Sequence, residues 1–355
     1  MNAYDAYSAD LTQISDRRRS GLWINLPDFE VVGDDGAPLD VQVITPFTDP
    51  FLLRRLKPGV LTVLDIVDGY LIEDTPFIKD HLRYFLRSSK REALQKPKRF
   101  SKSLKEVCSK VNLIVVASSE QAEIARLYNP HVAIIRDSHD ELGKPLEIKT
   151  FKKTQGFNIF WEGLGFTIFH FEEAAKDLGA FLLDTNSTLN LVTNETFPRY
   201  ASKFGKIETK KLIQKIFGPA AKNVLIHPWS QEKVREIARK CDFGVIPILE
   251  NDKFGRLKPE NKLLIYWRLG LQTLFSDTPS YVRLADEVGV SEYSVESGKW
   301  QEKLGEISST PGFLNENMLN IHEYLLRFHS EEVILDQWKR ALNSLKVQSR
   351  VQRSP

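Results

Sequence analysis

Lys258-Pro-Glu-Asn-Lys-Leu-Leu-Ile-Tyr-Trp-Arg-Leu-Gly-Leu-Gln-Thr-Leu-Phe-Ser-Asp-Thr-Pro-Ser-Tyr281 is the stretch whose reading decides the fold. Pro259 suits the first turn of a helix, where a missing N–H costs nothing, and Gly270 suits a helix end that needs left-handed backbone. Thr273 to Phe275 then begins a short apolar run of strand length. The spacing predicts helix, tight turn and strand. Asn261 and Lys262 fall on the first helical turn, where free backbone N–H groups and the positive end of the helix favour a phosphate and the lysine adds a mobile charge. Ser276, Asp277 and Thr278 follow the strand, at the carboxyl end where open α/β sheets bind ligands. The segment therefore predicts two halves of one anion site.

Outward from this stretch, short apolar runs alternate with helical patterns, the signature of parallel sheets covered by helices. In the first half the candidate strands are Leu22 to Asn25, Val41 to Thr45, Leu61 to Ile66, Leu113 to Ala117 and Val132 to Ile135. Ser119-Glu-Gln121 offers a helix N-cap between the last two, and Asn129-Pro130 stops that helix. A polar stretch from His139 to Gly156 has linker composition and sets a domain boundary near residue 150. The alternation restarts with Asn158 to Trp161, Leu189 to Thr193, Val224 to His227, Phe243 to Ile248 and Thr273 to Ser276. The expected architecture is α/β: two Rossmann-like doubly wound parallel-sheet domains, residues 1–150 and 151–320, with C-terminal helices over residues 321–355 packing across them.

The composition agrees. A chain of 355 residues has room for about two domains, and 42% apolar with 27% charged residues describes a globular chain. Lys plus Arg at 49 against Asp plus Glu at 47 leaves +2, which argues against a dedicated nucleic-acid binder. Cys108 and Cys241 form no CxxC, and the polar N-terminus with Asp5, Asp10 and Asp16 lacks the apolar centre of a secretory signal, so the expected location is cytoplasmic. No run approaches the roughly 18 apolar residues of a membrane span.

The Lys258 to Tyr281 segment resembles the nucleotide-sugar-binding region of bacterial glycosyltransferases of the GT-B fold, family 4-like group 1, with their Asn-Lys-Leu-Leu helix, Leu-Gly turn and Ser-Asp-Thr-Pro-x-Tyr loop. Ala238 to Ile248, with Pro247, is similar to the family's preceding strand. Val224-Leu-Ile-His-Pro-Trp-Ser230 is similar to the strand and loop that meet the nucleobase, which brings in His227 and Trp229. Leu64 to Tyr70 and Val115 to Glu120 resemble the acceptor-side domain. The resemblance implies transfer of a sugar, with retention, from a nucleotide-sugar donor to a glycan or lipid-linked acceptor in surface polysaccharide or glycoconjugate synthesis. On it, Lys258, Lys262 and Asp68 are the catalytic candidates. Gly163, Gly165, His227, Trp229, Pro247, Asn261, Ser276, Asp277, Thr278 and Tyr281 are the donor-binding ones. Ile265 and Leu257 stand where many relatives carry glutamate, and an aliphatic side chain accepts no ribose hydrogen bond. That departure sets the alternative, an inactive GT-B-fold protein that binds a nucleotide, glycan or partner.

Trp161-Glu-Gly-Leu-Gly165 follows the first strand of the second half, and its glycines allow backbone to approach a diphosphate. No Lys or Arg follows within ten residues, so the charge neutralisation falls to Lys258 and Lys262. Asp65 and Asp68 end a buried strand on the acceptor side, where either could orient a hydroxyl or take a proton. There is no Asp-x-Asp and no His/Cys cluster, so no cofactor and no tightly held metal are expected. Lys90 to Lys105 carries seven basic residues against Glu92, a local +6 suited to peripheral contact with anionic lipid at the inner face of a membrane.

Overall fold

The computed structural model describes residues 2–5, 30–31, 40–46, 56, 59–71, 78, 80–82, 84, 99–139, 142, 145, 153–198, 205–310 and 312–352. They fall into two units: residues 1–141, 257–259 and 329–355 belong to the first, and residues 142–256 and 260–328 to the second. Helix Met318–Phe328 thus lies in the second unit and helix Glu331–Gln352 in the first.

In the first unit β1 (Asn2–Asp5), β2 (Glu30–Val31), β3 (Val41–Ile44), β4 (Leu61–Ile66), β5 (Leu113–Val116) and β6 (Val132–Ile134) pair in parallel in the order β2-β1-β3-β4-β5-β6. The runs of β3, β4 and β5 are nearly continuous in apolar residues because both faces of such strands are covered. One cover is the 22-residue C-terminal helix, whose Ile334, Trp338, Leu342 and Leu345 are buried in one cluster with Val41, Val43, Val63 and Val115. Helix Ser119–Arg126 is capped by Ser118, one residue before the expected cap. Its extended backbone turns the hydroxyl back to accept from Gln121 N at 3.3 Å. The Gln121 amide accepts from Ala117 N at 3.0 Å and donates to Val67 O at 2.8 Å, tying the helix to the ends of β5 and β4. The expected strand Leu22 to Asn25 lies outside the described residues.

Cys108 is buried at the end of helix Phe100–Cys108, and burial pushes its thiol up to about 12. The thiolate is the reactive form, so Cys108 is expected to stay unmodified by a maleimide at neutral pH until the chain is denatured. Labelling followed by mass spectrometry, with and without urea, checks this.

In the second unit β7 (Asn158–Glu162), β8 (Thr188–Thr193), β11 (Val224–Pro228), β12 (Phe243–Ile246), β13 (Gln272–Ser276) and β14 (Ser294–Val295) pair in parallel in the order β11-β8-β7-β12-β13-β14. Between β8 and β11 in sequence, β9 (Thr196–Pro198) and β10 (Lys206–Glu208) form a separate antiparallel ribbon. Numbered within the unit, the order of the large sheet is third, second, first, fourth, fifth, sixth, which is that of the doubly wound dinucleotide-binding fold. The structure ends β12 at Ile246, two residues before the expected limit, because Pro247 has no N–H to extend the ladder.

Helix Asn261–Arg268 begins two residues after Pro259, a correction to the expectation that the proline opens it. Glu260 is the N-cap, with its carboxylate fully buried and held by Arg283 at 3.0 Å. The helix closes as expected: Gly270 adopts φ +71°, its N–H donates to Trp267 O at 2.9 Å, and Leu271 N donates to Tyr266 O at 3.1 Å. That pair of bonds is a Schellman motif, which returns the chain directly into β13.

Candidate functional site

The chain leaves β7 and β12 in opposite lateral directions, so their carboxyl ends mark the strand-order reversal, the place where ligands bind in open α/β sheets. Lys262 reaches this point from the first turn of helix Asn261–Arg268. Its Nζ donates to Glu162 O at 2.8 Å and stands 4.6 Å from the centre of the Trp161 ring. Gly163 makes this possible: a Cβ there would lie 2.8 Å from Lys262 Nζ and 3.0 Å from the Trp161 ring. One turn further along the same helix face, the Tyr266 hydroxyl accepts from Glu162 N at 2.8 Å. Tyr266 crosses β12 over Gly244, where a Cβ would stand 2.4 Å from the tyrosine ring. Burial, with Glu162 nearby, holds the Tyr266 phenol well above its ordinary pKa, so it stays a neutral hydroxyl. One helix face thus addresses both backbone groups of the residue that ends β7.

The neighbouring strand ends complete a rim. Pro247 is buried immediately after β12, and the Ser276 hydroxyl at the end of β13 accepts from Ile248 N at 2.9 Å, joining the two strand ends. Asp277 is held by Arg256, which donates to its Oδ1 at 3.1 Å and to its backbone O at 3.0 Å. Thr278 is the N-cap of helix Pro279–Val288, and its hydroxyl is buried without a hydrogen-bond partner among the described residues. The Thr193 hydroxyl, at the carboxyl end of β8, is in the same condition. A buried hydroxyl with no partner is costly, so two of them at one sheet rim call for a ligand or ordered water. At the end of β11, Trp229 is 43% exposed and its Nε1 lies 3.4 Å from Glu162 Oε2.

Other expected site residues have structural work. At Gly165 a Cβ would meet the Phe197 ring at 2.6 Å, so packing alone already requires a glycine there. Tyr281 is buried edge-on to Phe275 as a core residue. His227 Nε2 meets Asn190 Oδ1 at 3.0 Å, and partial burial, with Lys233 nearby, holds the ring below its ordinary pKa and therefore neutral at pH 7. Asn261 is half-buried beside Lys262. Ile265 belongs to the hydrophobic core of the second unit, which explains an aliphatic residue there.

In the first unit, Asp68 sits in the turn after β4, where Tyr70 N donates to Asp68 O at 2.7 Å. It lines a small cavity of about 10 Å³ with Gln121, Ile124 and Leu257, room for about one water. Lys258 is half-buried in the segment 257–259 of this unit. Within the basic run, residues 90–98 lie outside the described residues. Arg99 pairs with the buried Asp80 at 3.2 Å, and Lys105 lies 5.3 Å from the centre of the Tyr128 ring. These two charges are anchored in the fold.

Arg256 and Glu162 were not singled out from the sequence. The Arg256–Asp277 contact spans 21 positions and the Trp229–Glu162 contact 67, and no periodic pattern signals either. Among the described residues no group of three His, Cys, Asp or Glu side chains could hold a metal ion, and no helix is long and apolar enough to cross a membrane.

No protein-family model and no curated protein matches the chain. Solved structures do. TarM of S. aureus, crystallised with UDP, superposes with a TM-score of 0.57 at 10% identity over 85% of this chain and 55% of that one. The α,α-trehalose 6-phosphate synthase of Burkholderia multivorans gives 0.57 at 9% identity, over 90% of this chain and 73% of that one. WaaG, a glycosyltransferase involved in lipopolysaccharide biosynthesis, gives 0.54 at 11% identity over 96% and 98%. The chain has the GT-B fold. It spans little more than half the length of TarM, and at these identities the likeness is one of fold. The GT-B architecture expected from the Lys258 to Tyr281 segment is the one observed, and the rim of the second unit is the GT-B chain's candidate site.

Proposed function

We propose that this GT-B chain is a glycosyltransferase that holds a nucleotide-sugar donor at the carboxyl rim of its second unit and passes the sugar to a glycan or lipid-linked acceptor. The observation that carries the reading is Lys262, whose ammonium lies on the end of β7 at the strand-order reversal, in the room that Gly163 leaves for it. As the bond from the anomeric carbon to the diphosphate oxygen breaks, its electron pair leaves with the diphosphate, the acceptor oxygen bonds to the carbon, and the acceptor hydroxyl's proton passes to a leaving diphosphate oxygen. The charge that grows on the leaving group is what a fixed cation and oriented N–H groups stabilise more than the ground state. Lys262 supplies the cation, and the first turn of helix Pro279–Val288 with the Thr278 hydroxyl supplies the donors. Trp229 offers an aromatic face to a base, with Glu162 beside it as a hydroxyl acceptor. Asp68 and Lys258 keep the roles proposed from the sequence, an acceptor-orienting carboxylate and a second cation. Retention and cytoplasmic residence are part of the same proposal.

Thr278→Val gives a test that separates ligand binding from folding. The hydroxyl has no hydrogen-bond partner among the described residues, so its replacement by a methyl is expected to leave the melting temperature unchanged or slightly raised, while nucleoside diphosphate affinity falls about fivefold to tenfold. Melting curves with and without ligand read both effects. For the reaction itself, chromatography should detect a nucleoside diphosphate released from one nucleotide sugar of a panel, with release lost in Lys262→Ala. Absence of release from every donor, with a membrane extract supplied as acceptor, overturns the reading.

A further inference from the structure

The outer edge of the second unit carries a groove unconnected with the reaction just proposed. Strand β11 is an edge of its sheet among the described residues, and between it, helix Thr209–Phe217 and the turn Gly218–Asn223 lies an open cavity of about 540 Å³. Its walls are largely apolar, with Ile213, Pro219, Ala221 and Ile226, and Leu225 is 47% exposed. The charged side chains that line it, Lys210 and Lys222, are both exposed and both basic. The segment around them, Lys206 to Lys222, holds five lysines against Glu208 alone, a local +4 in a chain whose total is +2. Glu208 is already paired with Lys211 at 2.7 Å. An apolar trough flanked by ammonium groups fits an anionic amphiphile, with phosphate on the lysines and hydrocarbon against the walls. A soluble polar ligand would satisfy the lysines and leave Leu225 and Ile226 uncovered. We propose that this groove docks the chain on an anionic phospholipid bilayer, with Lys210 and Lys222 on the head groups and Leu225 inserted among them.

The test is co-sedimentation of the full chain with vesicles of phosphatidylcholine alone or with about 30% phosphatidylglycerol, since each basic residue at such a surface contributes about a fivefold factor in partitioning. The chain should bind only the anionic vesicles, and less so as salt screens the surface. Lys210→Glu/Lys222→Glu should lower the partition coefficient by about twentyfold or more, and Leu225→Ser by about threefold to tenfold. Lys210→Arg/Lys222→Arg should retain binding and, together with unchanged melting curves, shows that loss is not unfolding. Wild-type binding to phosphatidylglycerol vesicles that survives in Lys210→Glu/Lys222→Glu overturns the proposal. If Lys96→Glu/Lys98→Glu then abolishes it, the contact belongs to the basic run of the first unit. Absence of vesicle binding by the wild-type chain also overturns it. None of these outcomes depends on donor binding, so the groove and the glycosyltransferase reading stand or fall separately.

Discussion

Lys262→Ala is expected to weaken nucleoside diphosphate binding by about thirtyfold and to lower turnover by about a hundredfold or more. A hydrogen bond from an ionised donor is worth about 1.5–3 kcal/mol, or roughly tenfold to a hundredfold in affinity. Removing a fixed charge that meets a developing anion costs more in the transition state, about 10²-fold to 10³-fold. The effect on folding is much smaller. Lys262 is half-buried, and its contacts in the free protein include the bond to Glu162 O and a cation–π contact worth about 1 kcal/mol. Lys262→Arg is expected to recover only part of the activity, because the planar guanidinium cannot occupy the compact space between Gly163 and the Trp161 ring. Titration calorimetry and turnover measurements on the three proteins, with melting curves as the control, check the split between function and stability.

Gly244→Ala is expected to be the most damaging single methyl in the second unit. The new Cβ would stand 2.4 Å from the Tyr266 ring and 3.1 Å from Thr273 Oγ1, in a region where Phe160, Tyr266 and Thr273 are all fully buried. Overpacking costs about 1–3 kcal/mol. Pushing Tyr266 aside also breaks its bond from Glu162 N, for about 1–3 kcal/mol more. A total near 3 kcal/mol corresponds to a fall of about 6–12 °C in melting temperature for a unit of this size. Tyr266→Phe removes only the hydroxyl and should cost about 1–2 kcal/mol. Combining Gly244→Ala with Tyr266→Ala should cost less than the sum of the two single changes, since the added methyl then has space. Strict additivity would mean that the glycine is not there for the tyrosine.

The central strands of both units were legible in the sequence because buried parallel strands read as unbroken apolar runs, as Leu113 to Val116 and Phe243 to Ile246 do. β2 and β14, of two residues each, are too short for any periodicity, and the β9/β10 ribbon offers only three residues a side. At Ser118 and Ser119 two equally good caps adjoin, and the choice between them is made by backbone direction. The site was legible in part. Lys262 at a helix start and Gly163 after a strand each carry a local signal, but the contact at the end of β7 joins Lys262 to Glu162, a hundred positions away. Gly163 and Gly165 look alike in the sequence, yet one makes room for a lysine and the other for Phe197. Arg256 and Glu162 gained their places from partners distant in the chain, Asp277 and Trp229, and only the fold reveals them.

A nucleoside diphosphate is expected to lie over Lys262 at the junction of β7 and β12. Titration calorimetry of the full chain with UDP, GDP, ADP and CDP, run in parallel on Lys262→Ala and Thr278→Val, tests this most directly. The predicted result is one-to-one binding of one of the four by the wild-type chain, weakened in both variants and more strongly in Lys262→Ala. Binding that is equally tight in all three proteins, or no binding of any of the four, would contradict it.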